Sequence, residues 1–116
     1  MATSARPSTP EELIQRLSEL VPHFATEWAE DRADEEWTLT FHRVMRTFTY
    51  VFGKARVSLS DAQLKGVANL VNDCVAFDDD LENAVSTCFL EHLHQVNSLK
   101  SLWPYLSPKA RRECHA

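Results

Sequence analysis

Glycine is almost missing: the chain has two in 116 residues. Loops that cradle phosphate groups are made of glycine-rich backbone, and neither a Walker-type nor a dinucleotide-type loop is present. There is also no G-x-S-x-G elbow and no H-E-x-x-H pair, which removes the common hydrolase and metalloprotease signatures. With only five prolines beside those two glycines, the punctuation of a turn-rich β architecture is lacking. No run approaches the ~20 apolar residues of a membrane helix. The opening MATSARPSTP has no apolar signal core, so a cytoplasmic location is expected. The three cysteines, Cys74, Cys88 and Cys114, form no C-x-x-C unit and cannot all pair within one chain. Cys74 and Cys88 fall on apolar helical stripes, where a thiol acts as a small core hydrophobe, so reduced cysteines are expected.

Positive charge is missing over a long stretch. Between Lys65 and Lys100 there is no Lys or Arg, while Asp73, Asp78, Asp79, Asp80, Glu82 and Glu91 lie there. A second acid-rich segment holds Glu27, Glu30, Asp31, Asp34, Glu35 and Glu36 against Arg32 alone. The net charge of −5 repels phosphate backbones and argues against nucleic acid as a ligand. A basic protein partner suits such a surface; the plain alternative is that the acids serve solubility.

What is present is helical spacing. A length of 116 residues is one domain with one core. Residues 1–8 are small and polar and read as a disordered lead, with residues 9–116 as a helical bundle domain. Thr9, Pro10 and Glu12 form a capping box, followed by the stripe Leu13, Ile14, Leu17, Leu20 and Val21. Pro22 ends or kinks that helix. A short second helix to about Ala33 buries Phe24 and Trp28. Asp34, Glu35 and Glu36 open a third, with Trp37, Phe41, Val44, Met45, Phe48, Val51 and Phe52 on its inner face. The threonines in WTLTF favour a strand locally, but the longer helical period outweighs them. Gly53 is placed to cap the C-terminus. Ser60 and Gln63 make a second capping box, and Leu64, Val67, Ala68, Val71, Cys74 and Val75 carry the fourth helix. The central helix then opens on Asp78, Asp79 and Asp80, which supply N-cap oxygens and favourable charge. Its stripe, Leu81, Ala84, Val85, Cys88, Phe89, Leu93 and Val96, predicts about four turns. A short basic helix starts at Ser107-Pro108. The fold class is all-α, a single-domain bundle of about five to six helices.

Little catalytic chemistry is in view. Cys88 and His92, four apart, share a helical face and could hold zinc with Cys74, but clustered ligand spacing is lacking. A Cys88–His92 nucleophilic pair would need a lowered thiol pKa and an open cleft. His92 and His94, two apart, diverge on a helix. Asp78–Asp80 with Glu82 lack the alternation and glycine of a calcium loop. No metal and no cofactor is expected. The partner-binding candidates are Asp31, Asp34, Glu35 and Glu36 with Trp37 as an aromatic anchor, and then Asp78, Asp79 and Asp80. The other tryptophans, Trp28 and Trp103, read as core.

Three stretches carry a resemblance: LIQRLSELVPHF from Leu13, LENAVSTCFLEHL from Leu81 to Leu93, and LWPYLSPKARRE from Leu102 to Glu113. Across residues 11–113 the chain resembles a family of small helical bacterial proteins of unassigned function, many of which look like immunity proteins encoded beside polymorphic secreted toxins. The resemblance implies an all-α fold and a toxin inhibitor with no enzymatic step. The expected function is therefore neutralisation of a cognate toxin, one with a basic cleft, by direct stoichiometric binding through an acidic surface. No nucleic acid or membrane partner is expected, and the protein is read as a monomer or weak dimer. The alternative is a helical adaptor or regulatory module that binds some other protein.

Overall fold

Capping side chains start helices by accepting a hydrogen bond from a free backbone N–H three residues on. They are Thr9 from Glu12, Thr40 from Arg43, Ser60 from Gln63 and Asp79 from Glu82. Ser107 does the same for Ala110. In the computed structural model, residues 6–31, 39–93 and 99–114 are described. The helices are α1 Pro10–Leu20, α2 Pro22–Asp31, α3 Phe41–Ala55, α4 Asp61–Cys74, α5 Asp80–Cys88, α6 Leu99–Leu102 and α7 Pro108–Arg112. Short 3-10 turns follow α3, α5 and α6. Among the described residues there is no strand, so the chain is an all-α single-domain bundle.

The core is a ladder of rings. Phe48 of α3 packs edge-on to Phe24 of α2 at 5.3 Å, and lies 5.7 Å from Phe52 and 5.6 Å from Phe89. All four rings are fully buried, and offset or edge contacts of this kind add to the burial itself. Leu13 and Leu17 of α1, Val67 and Val71 of α4 and Leu102 close the cluster. Helix α4 comes close to the end of α1 because position 66 is glycine: a Cβ there would lie 2.5 Å from Leu20 Cδ2. Gln63 Nε2 donates to the Leu20 carbonyl at 3.1 Å and so satisfies one orphan acceptor at that helix end. Asn72 holds the C-terminal segment, donating to Tyr105 O at 3.1 Å and accepting from Ser107 N at 2.8 Å.

Several boundaries differ from the spacing-based expectations. Glu12 accepts from Ser8 N, not from the N-cap residue itself. Helix α3 begins at Phe41 because Thr40 is extended (φ −135°, ψ 161°) and caps it. The helix that carries Phe41 therefore does not extend back through Thr40, and the expected opening at Asp34, Glu35 and Glu36 lies outside the described residues. Gly53 does not end α3, which runs on to Ala55 with the cap at Arg56. The central helix is the largest departure, since α5 stops at Cys88 instead of continuing through Val96. The reason lies across the interface: the buried Thr49 hydroxyl reaches the Cys88 carbonyl at 2.5 Å and its own Met45 carbonyl at 2.7 Å. Phe89 then turns out of helical geometry (φ −124°, ψ −65°), which drops its ring between Phe48 and Phe52. Trp103 is not core. It is 41% exposed, with the Arg111 guanidinium 5.0 Å from the ring centroid.

Candidate functional site

The N-terminal end of α5 is the acidic corner predicted from sequence, and the structure gives its three aspartates three different positions. Asp79 is the N-cap, its Oδ1 accepting from Glu82 N at 3.0 Å. The same carboxylate receives both terminal nitrogens of Arg6, at 3.0 and 2.9 Å. This fork geometry is the strong form of an ion pair. The hydrogen bond from Arg6, then that from the Glu82 amide, holds the Asp79 carboxyl below its ordinary range. Asp78 meets Lys109 of α7 at 2.9 Å, but with 86% of its side chain exposed the pair is wet and weak. Asp80, first residue of α5, is exposed.

Arg6 does more than pair. Its Nε donates to Asp73 O at 2.9 Å and its Nη2 to Cys74 O at 2.7 Å. The guanidinium thus caps the C-terminal carbonyls of α4 while its charge faces Asp79 and opposes the helix dipole. The segment expected as a disordered lead therefore holds a built contact from Arg6 onward, with Pro7 buried. Residues 1–5 lie outside the described residues. Phe77, 63% exposed, sits 5.1 Å below the same guanidinium. Glu82 completes the corner: burial, then a hydrogen bond and the charge of Glu113, raise its carboxyl above the ordinary value. Glu113 also accepts from Ser86 Oγ at 2.5 Å. The corner thus couples an exposed aromatic ring to a set of carboxylates, two of them tethered by cations from distant parts of the chain.

Of the other predicted contact residues, Asp31 is the last residue of α2. Asp34, Glu35, Glu36 and Trp37 lie outside the described residues. Cys88 and His92 do not share one helix, because α5 ends between them. They still line one cleft of about 500 Å³ between α3 and the end of α5, with His42, Arg46, Thr49, Tyr50 and Thr87. Cys74 is not part of it. It is buried at the end of α4, and burial pushes its thiol up to about 12. That leaves two of the three ligands considered for zinc, and among the described residues no group of three or more His, Cys, Asp or Glu gathers to hold a metal. All three cysteines are free thiols, and burial also raises Cys114, to about 11. No helix among the described residues is long and apolar enough to cross a membrane.

The face of α3 beside this cleft is a feature the candidate list missed. Arg46, Tyr50 and Lys54 are exposed along it, and the Lys54 ammonium lies 4.6 Å from the Tyr50 ring centroid. A signal was present in the sequence: from Trp37 to Ser60 there is no Asp or Glu.

Compared with known proteins, residues 14–116 match a family described as Domain of unknown function (DUF7674). No curated protein and no solved structure matches the chain.

Proposed function

The chain belongs to the DUF7674 family, and from that premise we propose that it acts as a bacterial immunity protein, neutralising a cognate toxin by direct stoichiometric binding. The observation that supports this reading is the acidic corner at α5. An exposed aromatic ring, Phe77, stands beside Asp78, Asp79 and Asp80 on a helix end anchored to a fully buried core. An apolar anchor rimmed by carboxylates is the complement of a basic catalytic cleft, and such charge speeds association as well as holding the complex. Asp31, Asp34, Glu35, Glu36 and Trp37 form the second part of the proposed contact. The proposal carries a cytoplasmic protein, monomeric or weakly dimeric, with no catalytic step and no cofactor of its own.

The test begins with the neighbouring genes, where the proposal expects a toxin, and continues with co-expression of that toxin and this protein. Survival of the cells and a co-purifying complex are expected. Reversing Asp78 and Asp80 to Lys, while leaving Asp79 to hold Arg6, is expected to slow association and weaken protection with an unchanged helical circular dichroism signal. Cell death with or without the protein, and no complex, would end the immunity reading and leave the adaptor reading in its place.

A further inference from the structure

The α3 face presents chemistry opposite to that of the acidic corner. Arg46 and Tyr50 border two adjoining hollows. One is the cleft with His42, Thr49, Thr87, Cys88 and His92; the other is a smaller hollow of about 340 Å³ lined with Arg43 and Thr47. The cleft is lined in part by Thr49, Thr87, Cys88 and Tyr50, which bring methyl, thiol and ring groups to it. Arg46 supplies a cation at its edge, and Lys54, about two turns further along α3, brings a second one up to Tyr50, its ammonium 4.6 Å from that ring. His42 is fixed at one end by its Nε2 contact with Asn83 Oδ1 at 2.8 Å. No carboxylate from α3 or from the loop up to Ser60 competes for these cations.

We propose that this face docks an acidic, extended segment of a partner protein, with its carboxylates at Arg46 and Lys54 and an aromatic or aliphatic side chain in the cleft against Tyr50. The site is independent of the immunity reading, because it needs a partner charge of the opposite sign. Charge complementarity selects the occupant. A guanidinium and an ammonium at helical spacing match carboxylates at the spacing of a peptide, and a volume near 500 Å³ holds one side chain and its backbone. Nucleic acid fits less well. A net charge of −5, with Asp78, Asp79 and Asp80 at the start of α5, repels a long polyanion, whereas a short acidic segment meets only the local field.

The experiment uses the full chain and a fluorescein-labelled peptide of repeating Glu-Glu-Tyr, followed by fluorescence anisotropy, with the Gln-Gln-Tyr peptide and poly-uridylate as comparisons. Saturable binding of the acidic peptide is expected, weakening with salt, together with loss of binding to the Gln-Gln-Tyr peptide. Arg46→Glu is expected to weaken it on the order of tenfold, and Lys54→Glu added to it further. Amide shift mapping on the unmutated protein gives a second readout that does not depend on any variant folding. Shifts are expected within His42–Lys54 and Thr87–His92. No saturable binding, binding unchanged by both charge reversals, shifts centred elsewhere, or tighter binding of poly-uridylate than of the peptide would each overturn the proposal.

Discussion

At the start of α5, Asp78 and Asp79 are each met by a cation from a distant part of the chain, Lys109 and Arg6. Along the outer face of α3, Arg46 and Lys54 extend into solvent around an exposed Tyr50. Both regions rest on the same rings: Phe48 and Phe52 from the inner side of α3, and Phe89 just past the end of α5. The comparison separates charge that a fold consumes from charge that it offers. Asp79 is used twice, as helix cap and as the seat of Arg6, and so belongs more to the architecture than to a partner. Its neighbours Asp78 and Asp80 stay wet. The acidic corner is therefore smaller as an interaction surface than its run of three aspartates suggests.

The shared support gives the largest expected effect. Phe89→Ala removes a fully buried ring in contact with both Phe48 and Phe52, and a loss of about 3–5 kcal/mol is expected in urea denaturation. Both faces should weaken together. A variant that melted like the parent would show that the rings do not hold the two faces.

Arg6→Ala comes next and breaks the symmetry between the regions. It deletes the fork to Asp79 and the donors to two α4 carbonyls. A loss of about 1–3 kcal/mol is expected, mainly from the half-buried carbonyl contacts, since Asp79 is 46% exposed and its share is screened. Arg46→Ala, by contrast, should stay within about 0.5 kcal/mol of the parent. Equal effects would erase the distinction between used and offered charge.

The smallest effect is in pH. Asp79 has a folded value below its ordinary 3.8, so its contribution is present above that value and is lost as pH falls through the lower folded one. Glu82 has a folded value above its ordinary 4.5, so its contribution is present below 4.5 and is lost as pH rises through the higher folded one. The two carboxylates pull in opposite directions within one helical turn. Asp79→Asn should therefore flatten the acid side of a stability profile, and Glu82→Gln should flatten the decline just above pH 4.5. Paired melting curves across that range would show it; matching profiles for the two variants would contradict the assignment.

Local chemistry made much of this readable from the chain itself. Thr9, Ser60, Asp79 and Ser107 are capping residues by type and position, and the apolar stripes placed Phe24, Phe48, Phe89 and Leu93 in the core, where they lie. What stayed hidden depends on residues far apart. The end of α5 is set by a hydroxyl from α3, 39 residues away from the carbonyl it meets. Arg6 reaches Asp79 across 73 residues. No periodicity carries either contact. Gly53 misled for the related reason that a glycine can end a helix without being required to. The α3 face was legible in part, because a stretch without acids is visible in a sequence, but its exposure was not.

The central claim, that the acidic corner is the surface offered to a toxin under the proposed immunity function, is tested most directly by calorimetric titration of the purified protein with secreted toxin domains encoded by neighbouring genes. The reading predicts one-to-one binding that weakens with salt, falls by on the order of tenfold in the Asp78→Lys, Asp80→Lys variant, and is unchanged by Arg46→Glu. No heat of binding, or a complex insensitive to the aspartate reversals, would contradict it.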